Sequence, residues 1–306
     1  MGVRGAMSKN NKILKISLTL IMLSLIIVIM LIGKLRLEKP VFLINYCEIG
    51  TYEIGDKYSL GEERFKLKYI SNVDDTRRVV RITFKEAPDI DFFATEYNRW
   101  SNVIGSIDEN SNVNKYGRYG IHTVNVTCHS FNYEDYSEEL VLSEATVEFD
   151  DGLKMDVDLG KIVLYKEKNN PVALEHFSAQ TSDNIGSIAF TVNEDVKIEK
   201  IESPLIEEAS KIFDFNIKLT PWGESKEKEY EEGTTIKKDS IIICSSNYKS
   251  SEDILEDYKV YDIKPRIWFI NDYNDRYIWR YYKMSNHYRK YTYYGLYKYL
   301  KARGEI

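Results

Sequence analysis

Apolar and polar residues alternate one for one over most of this chain, the period that sends successive side chains to opposite faces of a strand. Phe65, Leu67 and Tyr69 alternate with Lys66 and Lys68. Val80, Ile82 and Phe84 alternate with Arg81 and Thr83, and Val124, Val126 and Cys128 with Thr123, Asn125, Thr127 and His129. The clearest unit is a hairpin. Ala145, Val147 and Phe149 face one way, Asp150-Asp151-Gly152 turns the chain, and Leu153, Met155, Val157 and Leu159 return on the same face. Asp-Gly supplies the backbone freedom that a tight turn needs. A further strand follows at 162–165, and the charges, asparagines and proline from Lys166 to Pro171 then break the pattern as a domain boundary.

The second half repeats this style. Ile188, Phe190 and Val192 share a face, as do Phe213, Phe215, Ile217 and Leu219. Residues 241–244 and 267–270 read as buried strands. Short strands separated by turn signals predict an all-β, antiparallel, β-sandwich-like architecture in two regions, 41–166 and 172–306. Helical periodicity is scarce. Ser203-Pro204 predicts a short helix with Ser203 as its cap and Pro204 in its first turn. Thr292 to Gly304 predicts another, capped by Thr292, buried through Leu296, Tyr299 and Leu300, and stopped by Gly304.

One segment breaks both periods. From Ile16 to Gly33 no charged residue occurs, with Lys12 and Lys15 before the run and Lys34, Arg36 and Lys39 after it. As a helix such a run approaches the roughly 30 Å of a bilayer core, with the lysines snorkelling to the headgroups. It exceeds the apolar stretch of a cleaved signal peptide, and Gly33 to Val41 offers no small-residue cleavage site. The sequence therefore predicts a cytoplasmic N-terminus at 1–12, a transmembrane signal anchor at 13–35, and an extracytoplasmic body behind it. The excess of basic residues ahead of the run favours that orientation, narrowly.

Charge is distributed unevenly. The net charge of −6 conceals basic ends and a strongly acidic middle. An acidic body repels nucleic acid and excludes it as the main partner. Three cysteines, Cys47, Cys128 and Cys244, form neither a disulfide framework nor a zinc pattern. The richness in Ile, Lys, Asn and Tyr fits a bacterial protein of an AT-rich genome.

Catalytic chemistry has no local signature. No nucleophile-elbow, S-x-x-K or phosphate-loop motif occurs, and His122, His129, His176 and His287 stand apart in sequence. His122 and Cys128 share a strand face at about 20 Å, too far for one metal. Asp156 and Asp158, with Asp150 or Asp151, read as a solvated strand face rather than a calcium site. Asn271 to Asp275 reads as a turn. No catalytic residue, metal ligand or cofactor is assigned.

The C-terminal end is the candidate binding surface. Tyr273, Tyr277, Tyr281, Tyr282, Tyr288, Tyr291, Tyr293, Tyr294, Tyr297 and Tyr299 crowd together with interleaved arginine and lysine. Tyrosine and arginine combine large contact area with polar handles and cation–π contacts. Arg276, Trp279, Arg280, Tyr282, Arg289 and Lys290 are the expected contacts, with an anionic wall polymer or an acidic protein as partner. Replacing the basic residues by Gln is expected to leave folding intact, since long charged side chains sit at surfaces. The leading expectation is thus a membrane-anchored, non-enzymatic binding or scaffolding protein of the cell envelope. The alternative is an accessory or sensory subunit of a membrane complex, contacting its partner through Ser17 and Ser24 on one helix face. An envelope polysaccharide-acting enzyme ranks third, resting on plentiful carboxylates alone.

Overall fold

Strands form wherever the alternation is regular. The computed structural model describes residues 3–54, 57–60, 64–96, 113–128, 131–132, 139–166, 174–181, 185–287 and 289–306. Helix α1 (Val3–Lys34) leads into β1 (Val41–Phe42), β2 (Asn45–Ile54), β3 (Lys57–Ser59), β4 (Phe65–Asn72), β5 (Val79–Phe84), β6 (Phe92–Thr95), β7 (Val113–Tyr116), β8 (Tyr119–Cys128), β9 (Glu139–Phe149) and β10 (Lys154–Lys166). Then come β11 (Leu174–Thr181), β12 (Ile185–Val192), β13 (Val196–Glu202), α2 (Ile206–Ser210), β14 (Phe213–Thr220), β15 (Lys228–Glu229), β16 (Thr235–Ile236) and β17 (Ile241–Tyr248). The chain ends with α3 (Ile254–Asp257), β18 (Val260–Ile263), β19 (Arg266–Asn271), β20 (Arg276–Arg280), β21 (Met284–Ser285) and α4 (Tyr293–Ala302). The fold is all-β, with antiparallel and mixed sheets and few helices, and is compatible with a β-sandwich.

The first sheet has 12 strands, in the order β1-β4-β8-β6-β5-β9-β10-β2-β18-β21, with β3 on β2 and β7 on β8. It curls until β2 lies against β4 and β1 against β10. Its concave face encloses Phe65, Leu67, Ile82, Phe84, Val124, Val126, Ala145, Val147 and Phe149. Two pairings depart from the expected antiparallel pattern: β2 runs parallel to both β10 and β18. Neither partner is joined to β2 by a hairpin, so nothing forces the antiparallel sense. The inward set expected in β5 also shifts. A bulge between Val79 and Arg81 buries Val79 and leaves Val80 exposed.

The second core lies between a five-stranded sheet, β11-β12-β17-β14-β15, and a four-stranded one, β16-β13-β19-β20. Strand β17 alternates rather than being buried throughout, with Ile242 and Cys244 inside and Ile241 and Ile243 half-buried. Tyr46, Val163, Tyr261 and Ile263 of the first sheet join this same core. The two expected regions therefore share a wall. Most of the expected linker, residues 167–171, lies outside the described residues.

The C-terminal segment returns to the first sheet. Helix α4 closes a third cluster, setting Leu296, Tyr299 and Leu300 against Val41, Leu43, Ile70, Tyr119 and Ile121. Thr292 caps α4, its Oγ1 accepting from Gly295 N at 3.1 Å, and Gly304 ends it at φ +74°. Ser203 does not cap α2, which starts later, at Ile206 with Leu205 in the cap position; the Ser203 hydroxyl accepts from Leu205 N at 3.0 Å and donates to Glu48.

Helix α1 includes the uncharged run. Its described side chains from Leu14 to Met30 are all exposed, and its large apolar ones are about half or more exposed. Among the described residues no helix is long and apolar enough to cross a membrane. The chain leaving α1 is pinned at once. Leu37 N donates to Asn72 Oδ1 at 3.0 Å, Asn72 Nδ2 donates to Leu37 O at 2.8 Å, and Tyr119 Oη donates to Leu35 O at 2.7 Å.

Strand β10 ties the two halves together. Up to Asp158 it has one solvated face, on which Lys154, Asp156 and Asp158 sit. A bulge at Gly160 follows, after which Ile162 and Leu164 enter the first core and Val163 the second. Gly160 stands at φ +92°, and an added Cβ would lie 2.4 Å from Asn45 O and 2.8 Å from Asn45 N. Gly152, in the hairpin turn, has φ +86° but open space around it. Gly160→Ala is therefore expected to cost about 3 kcal/mol, from strain plus a clash with backbone, and Gly152→Ala about 1 kcal/mol from strain alone. Urea melts of both variants check the contrast; equal losses would contradict it.

Candidate functional site

The expected binding residues fall into separate environments. Arg276 opens β20 and pairs with Glu199 at 2.6 Å. Trp279 is half-buried, 4.6 Å from Phe190 between ring centroids, and belongs to the second core. The Arg280 guanidinium lies 3.6 Å from the centre of the Tyr165 ring. Tyr282 is exposed, with Lys283 Nζ 5.2 Å from its ring centre, and Lys290 is exposed. Arg289 is not at the surface: its side chain is 13% exposed, ion-paired with Asp257 and laid against the Tyr258 ring at 4.3 Å. Asp257 also accepts from Tyr248 Oη at 3.0 Å and Ser251 N at 3.1 Å. The tyrosines divide likewise. Tyr281 and Tyr299 are core residues, while Tyr273, Tyr293 and Tyr294 are exposed; Tyr288 lies outside the described residues.

Beside Arg289 sits a buried lysine. Lys68 Nζ donates to His287 O at 2.9 Å and lies 5.3 Å from the centre of the Tyr291 ring. No carboxylate pairs with it among the described residues. Burial first, then the like charges of Lys66 and Arg289, lower its pKa to about 8.

A polar chain closes one end of the curled sheet. Ser71 Oγ lies 2.9 Å from His122 Nε2, and His122 Nδ1 lies 3.2 Å from Glu96 Oε2. Glu96 Oε1 accepts from Tyr69 Oη at 2.9 Å and Val79 N at 2.8 Å. The Tyr69 ring stacks on His122 with centroids 4.3 Å apart. Burial and the Glu96 carboxylate raise the Tyr69 pKa, which keeps its hydroxyl a donor. The order serine, imidazole, carboxylate is that of a nucleophile, its base and the base's orienter. Ser71 is 1% exposed, however, and its hydroxyl also reaches Asn72 O at 3.0 Å. As placed, the chain satisfies buried polar groups and presents no nucleophile to a substrate.

No local motif announced this chain. Its members come from β4, the end of β6 and β8, and meet only because β4 pairs with β8 with Tyr69 opposite His122. The available signal was His122 at an inward position of the face that carries Val124 and Val126. His129 and the side chain of His176 lie outside the described residues. The three cysteines are buried and form no disulfide, and burial raises the pKa of Cys128 to about 11. Asp156 accepts from Thr146 Oγ1 at 2.6 Å and Asp158 from Gly160 N at 2.8 Å. Among the described residues no group of three or more His, Cys, Asp or Glu side chains could hold a metal ion.

A cleft of about 510 Å³ opens where the shared wall meets the second half. Tyr46 and Ile44 of the β2 side, Lys161 beside the β10 bulge, Pro204 and Glu207 at α2, and Lys259 line it. The Tyr46 ring stacks on Tyr261 at 5.3 Å and carries Lys259 Nζ 5.1 Å from its centre. Behind this wall Glu48 is buried, accepting from Ser203 Oγ, Leu205 N at 3.3 Å and Lys264 N at 3.1 Å. Burial pushes the Glu48 carboxyl up, against the pull of those donors and of Arg280.

No family model matches the chain, and no curated protein does. Two solved structures show what it is similar to. One is a protein of unknown function from Porphyromonas gingivalis W83, 11% identical, covering 80% of this chain and 94% of its own, with a TM-score of 0.16. The other is the sialic acid binding region of a Streptococcus sanguinis SK1 adhesin bound to 3'sLn, 9% identical, covering 79% of this chain and 76% of its own, with a TM-score of 0.17. Scores this low carry no argument about this chain.

The basic residues have separable effects. Arg289→Gln leaves Asp257 buried without its cation and is expected to cost about 3 kcal/mol. Arg276→Gln, at a side chain 60% exposed, is expected to cost under about 1 kcal/mol. Chemical denaturation of both checks the difference, and an Arg289→Gln protein as stable as wild type would contradict it. Lys68 gives a pH signature. Between about pH 8 and lysine's ordinary value of 10.5 the unfolded chain binds the proton that the folded state has released. Stability from this group therefore rises with pH across that window. Lys68→Met is expected to raise the melting temperature at pH 7 and to lose that advantage by pH 10.5; an advantage unchanged by pH would contradict it.

Proposed function

We propose that this protein is a membrane-tethered binding or scaffolding protein of a bacterial cell envelope, with its β-rich body outside the membrane and no chemistry of its own. The observation that carries this reading is the uncovered apolar surface of α1. A helix apolar on all sides needs an apolar surround, and nothing in the described body supplies one. The uncharged run continues to Gly33 through Leu31 and Ile32, whose side chains lie outside the described residues. Residues 13–35 are the proposed span, and lipid is the proposed cover.

The linkage between helix and body supports a short tether. Leu37 is buried, and Leu35 and Leu37 are held by Tyr119 and Asn72. Such a joint holds the body close to the bilayer rather than at the end of a free linker. The proposed binding surface is what remains exposed in the C-terminal segment, Arg276, Tyr282 and Lys290, with Trp279 and Arg280 bracing β20 from behind. Its proposed partner is an anionic wall polymer or an acidic protein. The exposed charge would act over a distance that shrinks from about 10 Å at 0.1 M salt to about 3 Å at 1 M.

Two measurements test the reading. Protease added to intact cells is expected to remove the body and leave a membrane-bound stump. A protected body, or a mature N-terminus between Gly33 and Val41, would overturn the tether. Retention of the full-length protein on envelope extracts is expected to fall between 0.1 M and 1 M salt and on combining Arg276→Gln with Lys290→Gln. Retention indifferent to both would overturn the binding surface.

A further inference from the structure

We infer that the cleft over the β2–β10 wall is a binding site for a small zwitterion, an amino acid or short peptide carrying one ammonium and one carboxylate. This inference rests on the cleft alone and stands apart from the tether. Several charges in the cleft are already engaged. Lys259 is paired with Glu256 at 2.5 Å, and Glu208, another lining residue, with Lys211 at 2.6 Å. Asp158 accepts from the backbone of its own bulge. Two lining charges remain, of opposite sign. Among the described residues neither Lys161 Nζ nor the Glu207 carboxylate has a hydrogen-bond or ion-pair partner.

Lone solvated charges are ordinary on a surface. These two face the same concavity from opposite elements. Lys161 is half-buried on β10, in register with Tyr46 on the neighbouring strand, so their side chains stand side by side. Glu207 comes from α2. The pairing pattern decides the ligand's chemistry. A simple anion meets the field of Asp158, Glu207 and Glu208, and a simple cation meets Lys161 and Lys259. A molecule bearing both charges pairs both free groups, its carboxylate with Lys161 and its ammonium with Glu207. Tyr46, Ile44 and Pro204 provide an apolar floor for the carbon body between them. Tyr46 is itself fixed by Tyr261 and Lys259, so the floor is preorganised.

Full-length protein in detergent, titrated calorimetrically with the proteinogenic amino acids and with short glycine oligomers, tests this. At least one of these zwitterions is expected to bind with one site per chain. The oligomer series reports which charge separation the cleft accepts. Lys161→Met and Glu207→Gln are each expected to weaken that ligand about tenfold, the loss of one charge-assisted contact, with melting temperatures unchanged. The N-acetylated ligand should bind wild type as weakly as the free ligand binds Glu207→Gln, and should be indifferent to that substitution. Should a variant melt early, the acetylated and amidated ligands probe the same contacts on wild-type protein. Absence of binding by every zwitterion at millimolar concentration, or binding that survives both substitutions and both blocked ligands, overturns the inference.

Discussion

The parallel pairing of β2 with β10 is the constraint on which the rest of the structure depends. Beyond the cleft at its start, this wall is covered on both faces: Cys47, Ile49, Ile162 and Leu164 fill one core, and Val163 lies in the other with Tyr46 packed against it. A strand buried on both sides must be apolar on both, or must satisfy each polar side chain it carries. Strand β2 buries three polar side chains: Asn45 donates to Leu43 O, Thr51 to Tyr165 O, and three donors from the second half converge on Glu48. The same carboxylate therefore fastens the loop before α2 and the start of the β18–β19 connection to the wall. Gly160 sets where the wall begins, because only there can β10 approach the Asn45 backbone closely enough to pair.

Electrostatics in this molecule are largely internal. A basic segment and an acidic middle look, in one dimension, like a binding polarity. In three dimensions much of that polarity is spent on Arg276 with Glu199 and Arg289 with Asp257, while Arg280 lies on Tyr165. Lys68 is different in kind. Among the described residues this buried cation has no carboxylate partner; a carbonyl and a ring hold it, and its lowered pKa reflects the cost of keeping it charged there. The Ser71–His122–Glu96 chain follows the same logic: once His122 faces inward, Glu96 and Ser71 are the partners that make its burial tolerable.

Asn72, which pins the chain leaving α1, is the neighbour of Ser71, so the joint to the helix and the polar end of the sheet lie on the same strand. The cleft lies on the opposite side of the shared wall from the first core, where α2 and the bulge of β10 meet.

Local pattern determined much of this protein. The hairpin around Gly152, the inward sets of β4, β8 and β9, the capped helix α4, the turn at Asn271 and the uncharged run of α1 follow from neighbours in sequence, because period and turn chemistry act over a few residues. Tertiary structure alone decided what depends on distant pairing. The parallel insertion of β2 between β10 and β18, the return of the C-terminal segment to the first sheet, the hydrogen bond from Ser203 to Glu48, the burial of Arg289 and the meeting of Ser71, Glu96 and His122 each join residues far apart along the chain. Alternation reports which face of a strand is apolar, but not which strand lies beside it or whether a charged side chain finds a buried partner. Those outcomes are set by how the sheets close on each other.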